Sequence, residues 1–212
     1  MTNEIPEELG ETFLEVLVAD VIRAMEREPD SQSNRRDLMR ASFAAIEGLV
    51  WVYRKHVEGV AKDIDEISPL TEMAFSELTY RVTESGNIQP QTRFVTITAM
   101  IKFVTNEAQK LSSELKVDFG VQGWADLLAF LAIRNRITHP KTLTELHISH
   151  DDLRVSQSAF VWLLKLIGDV MELTTRASAN YLEALREISA LLMSGDEKAL
   201  ALYRMAVEGK YE

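Results

Sequence analysis

The stretch Leu131-Ala132-Ile133-Arg134-Asn135-Arg136-Ile137-Thr138-His139-Pro140-Lys141 concentrates side chains that can handle a phosphate. An imidazole titrates near neutrality, so His139 can act as general base or general acid. A guanidinium is always charged and forks onto phosphate oxygens, so Arg134 can hold a phosphate and stabilise charge developing on it. Asn135 offers an amide to fix the imidazole or a ribose. Asn135 and His139 are four apart and share one helix face, which Arg134 flanks. Traced backwards, that face runs through Leu131, Leu128 and Trp124, an apolar line that turns polar and basic at its end. A reactive cleft over a core has this form. Arg134, Asn135 and His139 are therefore the candidate catalytic residues. Arg136 and Lys141 add supporting positive charge, although both equally suit solvated charges near a helix C-terminus. No carboxylate cluster stands beside His139, so neither a metal nor another cofactor is expected.

The elements that must position these residues are helical almost throughout. Leu9, Phe13, Val16 or Leu17, Val21 and Met25 recur at helical spacing from Glu7 to Glu28, and Pro29 ends the run. After a polar loop, Ser33 or Asn34 caps a longer helix with Met39, Phe43, Ile46, Val50, Tyr53, Val57 and Val60 on one stripe. Ser68-Pro69 starts a short helix. Leu78 to Thr83, then Gly86-Asn87, then Ile88 reads as a small hairpin. A helix resumes near Thr92 and runs to about Lys116. Val121 to Thr138 is apolar on most of its circumference, which predicts a central, buried helix stopped by Pro140. A long helix begins at Ser149 or just after it, at Asp151 or Asp152. Two amphipathic segments, 177–193 and 196–208, follow. The fold class is all-α, one domain over 1–212, with a small extended insertion near 78–91. It divides into an N-terminal helix (1–29), a core (34–175) and a helical tail (176–212).

Composition narrows the function classes. Lys and Arg number 23 against 33 Asp and Glu, a net charge of −10, so a coat of phosphate contacts along duplex DNA is excluded. Any nucleic-acid contact must be local. With no cysteine there is no disulfide framework, thiol nucleophile or zinc ribbon, which fits a reducing compartment. The acidic N-terminus is no secretory leader, and the longest apolar run, Leu127 to Ile133, is too short to span a bilayer. A cytoplasmic protein without membrane contact is expected.

Other residues read more plainly. His147 and His150, beside Asp151 and Asp152, lack a third strong ligand for zinc. His56 reads as a surface residue, and Trp51, Trp124 and Trp162 as core. Glu47, one residue from the buried stripe of the second helix, either orients His139 or Arg134 or is an edge carboxylate reaching solvent.

Arg134-Asn135-x-x-x-His139, closing the penultimate long helix of an all-α chain, resembles the arginine–polar–spacer–histidine signature of HEPN (higher eukaryotes and prokaryotes nucleotide-binding) domains. The run continuing into Pro140-Lys141 is similar to that of many bacterial members, and Ser42 to Trp51 resembles their second helix. The resemblance covers roughly 34–175. It implies a helical homodimer that brings two motif copies to one cleft and cleaves RNA without metal, through attack of a ribose 2′-hydroxyl on the adjacent phosphate. It further implies a toxin or an antiviral, abortive-infection effector, with an antitoxin or regulatory protein as partner. Some members lack activity, so the alternative is a non-catalytic helical dimer serving as a nucleotide-binding or protein-interaction module. Members paired with nucleotidyltransferase antitoxins often carry Tyr two residues after the motif histidine. Lys141 stands there, which argues against control by adenylylation at that position.

Overall fold

The computed structural model describes residues 12–28, 30–64 and 67–208. Leu9 and Pro29, used above to bound the first helix, lie outside them. Among the described residues the chain is mostly helical: α1 (Phe13–Met25), α2 (Gln32–Asp63), α3 (Pro69–Phe75), α4 (Ile97–Leu111), α5 (Gln122–Thr138), α6 (His150–Met193) and α7 (Glu197–Val207). The strands β1 (Leu78–Val82) and β2 (Ile88–Thr92) pair antiparallel, Leu78 opposite Thr92 and Val82 opposite Ile88. No helix among the described residues is long and apolar enough to cross a membrane.

The centre of the bundle is α2, packed by α1, α4, α5 and α6. Met39, Ile46, Leu49, Tyr53 and Val57 on its stripe are fully buried, each aliphatic one contributing roughly 1.5–3 kcal/mol. Its cap is Ser31, whose side chain accepts from Asn34 N, rather than Ser33 or Asn34. Ser31 alone keeps the extended backbone a cap needs, while the other two already lie in the helix. Gly48 lets α1 approach closely, since a Cβ there would fall 2.1 Å from the Leu17 side chain. Tyr53 Oη lies 2.9 Å from Thr105 Oγ1, which itself donates to Ile101 O, so the phenol is the donor. Burial pushes its pKa up.

Three expectations need correction. The helix α4 starts at Ile97, capped by Thr96, because residues up to Thr92 are taken by the hairpin. Of the three tryptophans only Trp124 is buried. Trp51 is 48% exposed, edge-on to Phe13 of α1, and Trp162 is half-buried. Most consequentially, α5 is not a central helix. Trp124, Leu127, Phe130, Ile133 and Ile137 face the core, but Ala125, Leu128, Ala129 and Ala132 are exposed. Small apolar residues on the outer face mimic total burial when only composition is read.

The helix α6 is capped by Ser149 in a reciprocal box with Asp152. It is continuous for 44 residues, but its last buried residue is Thr174. What the sequence divides into core helix and tail is thus partly one rod. Gly195, at φ 77°, ends α6 and lets the chain turn into α7.

Candidate functional site

Pro140 cannot continue α5 and disfavours helical backbone in the residue before it. His139 therefore leaves the helix as its C-cap, φ −124° and ψ 54°, with its N–H donating to Asn135 O at 3.1 Å. Arg134 reaches towards α2. Its guanidinium carbon lies 4.1 Å from the centre of the Phe43 ring, and Nη1 donates to Asn135 Oδ1 at 3.0 Å. Stacking and hydrogen bond together hold the planar fork in one orientation. Arg134 is half-buried, whereas Asn135 and His139 are exposed. Among the described residues the His139 ring, the Asn135 amide nitrogen and Lys141 Nζ have no hydrogen-bond partner. Arg134 and Asn135 are thus joined side chain to side chain and His139 follows at the helix end, with donors and an acceptor open to a ligand.

The supporting candidates do not all join them. Arg136 donates to Glu145 O at 3.2 Å and His147 O at 2.8 Å, and pairs with Asp152 at 3.1 Å. Its charge is committed to the turn after α5. Lys141 is exposed nearby in sequence, its backbone N–H held by Glu145 Oε2. Glu47 sits one turn beyond Phe43 on α2, at a recess of about 170 Å³ shared with Trp51, Arg54, Glu77 and Met100. Among the described residues no hydrogen bond joins it to Arg134 or His139.

Sequence reasoning missed the residues that hold this end of the bundle. Gln32 bonds both backbone groups of Ile148, at 2.9 and 2.8 Å. Arg35, buried, donates to Ile148 O at 2.9 Å and pairs with Asp30. His150 Nε2 accepts from Arg35 Nη2 at 3.0 Å, a guanidinium having no acceptor. Arg36 donates to Leu146 O at 3.3 Å. The clue available in the sequence was Arg35-Arg36 at the start of the most apolar-striped helix. The platform Phe43 carried no clue, since its spacing reads simply as core.

His56 is half-buried rather than exposed. Its Nε2 lies 2.8 Å from Thr174 Oγ1, which gives its own proton to Val170 O, so the ring nitrogen donates. Burial holds its pKa below the ordinary imidazole value. Among the described residues no three His, Asp or Glu gather as a metal site.

Two surface properties bear on chemistry at His139. From Leu127 to Thr144 the chain carries no carboxylate, so Arg134 and Lys141 stand in a locally cationic segment of an acidic protein. The exposed apolar face of α5, with Leu128 at 45%, leads directly to Asn135 and His139. No family model, curated protein or solved structure matches this chain, so its chemistry must be argued from these groups.

Proposed function

We propose that the chain is a metal-independent endoribonuclease of HEPN type, acting as a homodimer in the cytoplasm, as a toxin or antiviral, abortive-infection effector. One observation carries this reading: the Arg134 guanidinium is laid on Phe43 and hooked to Asn135, with an exposed imidazole one turn further on. That is a fixed anion clamp beside a titratable base. Cleavage proceeds by attack of a ribose 2′-oxygen on the adjacent phosphorus. One His139 accepts the hydroxyl proton and the other donates a proton to the departing 5′-oxygen, which yields a 2′,3′-cyclic phosphate and a 5′-hydroxyl. The Arg134 pair stabilises the phosphorane charge. One chain supplies one such imidazole, so the acid and base roles call for a second copy. The bare apolar face of α5 beside the site is a suitable seat for it. An acidic body limits RNA contact to this short cationic segment.

The alternative, a non-catalytic helical dimer that binds a nucleotide or another protein, draws on the lack, among the described residues, of any side chain hydrogen-bonded to the His139 ring. Cleavage of a labelled RNA in excess chelator separates the two. Wild type should produce cyclic-phosphate ends, and His139→Ala should lose about 100-fold or more in rate. Equal rates for the two proteins would remove the nuclease reading.

A further inference from the structure

The recess beside Glu47 holds an arginine whose hydrogen bonding is half complete. Arg54 Nη1 donates to Glu77 Oε2 at 2.8 Å, and Glu77 Oε1 in turn accepts from Val95 N at 2.8 Å. The guanidinium is thereby fixed, but its other side, Nε and Nη2, has no partner among the described residues. Nε is the one buried side-chain nitrogen or oxygen among them left unpaired. Two parallel N–H groups held in this way call for two adjacent acceptors. Glu47 also lines the recess. It is exposed, and its carboxylate has no hydrogen-bond or ion-pair partner among the described residues, so it calls for donors. Between the two in sequence, Trp51 lines the same recess and offers a flat indole, 48% exposed.

Charge narrows the occupant. Glu77 offsets Arg54, and Glu47 adds a second negative charge, so a free anion is disfavoured. A simple cation leaves the Arg54 donors unmet. All three groups are answered by an uncharged flat ring with two acceptors on one edge and two donors on the next. Among RNA bases guanine has this pattern, with O6 and N7 as acceptors and N1–H and the N2 amine as donors. The recess, about 170 Å³, holds roughly six waters at about 30 Å³ each, enough to seat the edge of one purine against the indole. Phe43, Glu47, Trp51 and Arg54 follow at i, i+4, i+8 and i+11 on one face of α2, and Phe43 is the ring beneath Arg134. At about 1.5 Å per residue, Glu47 stands about 6 Å along the helix from that phosphate clamp. We propose that the recess is a guanine subsite, in which Trp51 stacks the base, Arg54 donates to O6 and N7, and Glu47 accepts from N1–H and the N2 amine. The assignment rests on the ribonuclease reading and deepens it, since the base belongs to a nucleotide near the cleaved linkage. Backbone phosphates stay with the cationic segment, and the recess takes up an uncharged group.

Short 2′-O-methyl RNAs resist attack by a 2′-oxygen and serve as probes of the full wild-type chain, read by fluorescence anisotropy in excess chelator. A strand of uridines with one central guanine should bind on the order of 10-fold tighter than uridines alone. Changing the base rather than the protein leaves folding untouched. Hypoxanthine, lacking the N2 amine, and 7-deazaguanine, lacking N7, should each lose several-fold of that preference. With Glu47→Ala, hypoxanthine and guanine should bind nearly alike, and with Arg54→Lys, 7-deazaguanine and guanine should do so. Equal binding of the two strands by wild type, or modified bases that bind as well as guanine, would overturn the subsite. So would a preference that survives unchanged in both protein variants. Cleavage of ordinary RNA to cyclic phosphate with no guanine preference in binding would remove this inference and leave the nuclease reading. Guanine preference without cleavage would do the reverse.

Discussion

His139 and His150 stand on either side of the same turn, His150 in contact with Arg35 and His139 five residues after Arg134 at the end of α5. Arg35, beside His150, is buried and engaged by Ile148 O, Asp30 and the His150 ring. Arg134, near His139, rests on Phe43 and bonds only the neighbouring Asn135, while the imidazole has no partner among the described residues. Residue types are nearly matched in the two clusters, but their roles diverge. Around Arg35 the hydrogen-bonding capacity goes into holding residues 145–150 against α2. Around Arg134 it is left facing outward. Arginine and histidine in one short region suggest function only when other protein groups have not already satisfied them.

The sharpest way to break this comparison is to remove each imidazole. His139→Ala should lower RNA cleavage by about 100-fold to 1,000-fold while shifting stability by less than about 0.5 kcal/mol. His150→Ala should leave the rate near wild type, and an equal loss of rate without loss of stability would erase the distinction. The arginines should show the reverse pattern under urea denaturation. Arg35→Ala should cost about 2–4 kcal/mol, because it leaves Ile148 O and neighbouring polar groups without their buried donor. Arg134→Ala should cost less than about 1 kcal/mol, roughly the worth of its stacking. A more modest change, Phe43→Leu, takes the ring from beneath Arg134. It should raise KM several-fold more than it lowers kcat, at a stability cost of about 1–1.5 kcal/mol.

The smallest effect concerns His56, an imidazole that is buried rather than presented. Its folded-state pKa lies below the ordinary value near 6.5, so the unfolded chain binds the proton more readily. Stability should therefore decline as pH falls from about 6.5 through the lowered folded value, and level off below it. His56→Gln, which keeps a donor for Thr174, should flatten that slope in denaturation curves collected across this range.

Much of the local architecture was legible in residue order. The stripe from Met39 to Val60 marked α2, Ser68-Pro69 marked the start of α3, and Gly86-Asn87 marked the hairpin turn. Helical spacing also grouped Arg134, Asn135 and His139; the structure joins the Arg134 and Asn135 side chains by a hydrogen bond and ties His139 to Asn135 through its backbone N–H. Spacing was silent on which face of α5 looks outward, because alanine and leucine are compatible with either environment. It was equally silent on the link between Arg35 and Ile148, which are 113 residues apart in the chain. Arg136 was placed near the site by sequence proximity and Glu47 by its place beside the buried stripe of α2; Arg136 turns out to be engaged by Glu145 O, His147 O and Asp152, and among the described residues no hydrogen bond joins Glu47 to Arg134 or His139.

By itself, the sequence determined helix periodicity, the breaks at Pro140 and between 193 and 196, the absence of thiol chemistry and the cationic segment around His139. These depend on backbone preference and charge, which neighbouring residues settle locally. Only tertiary structure decided that α2 rather than α5 is central, that Arg35 and Arg136 are engaged while Arg134 is presented, and that α6 outruns the core it packs against. Burial and hydrogen-bond partnership depend on what the rest of the chain brings alongside, and residue type at one position cannot encode that.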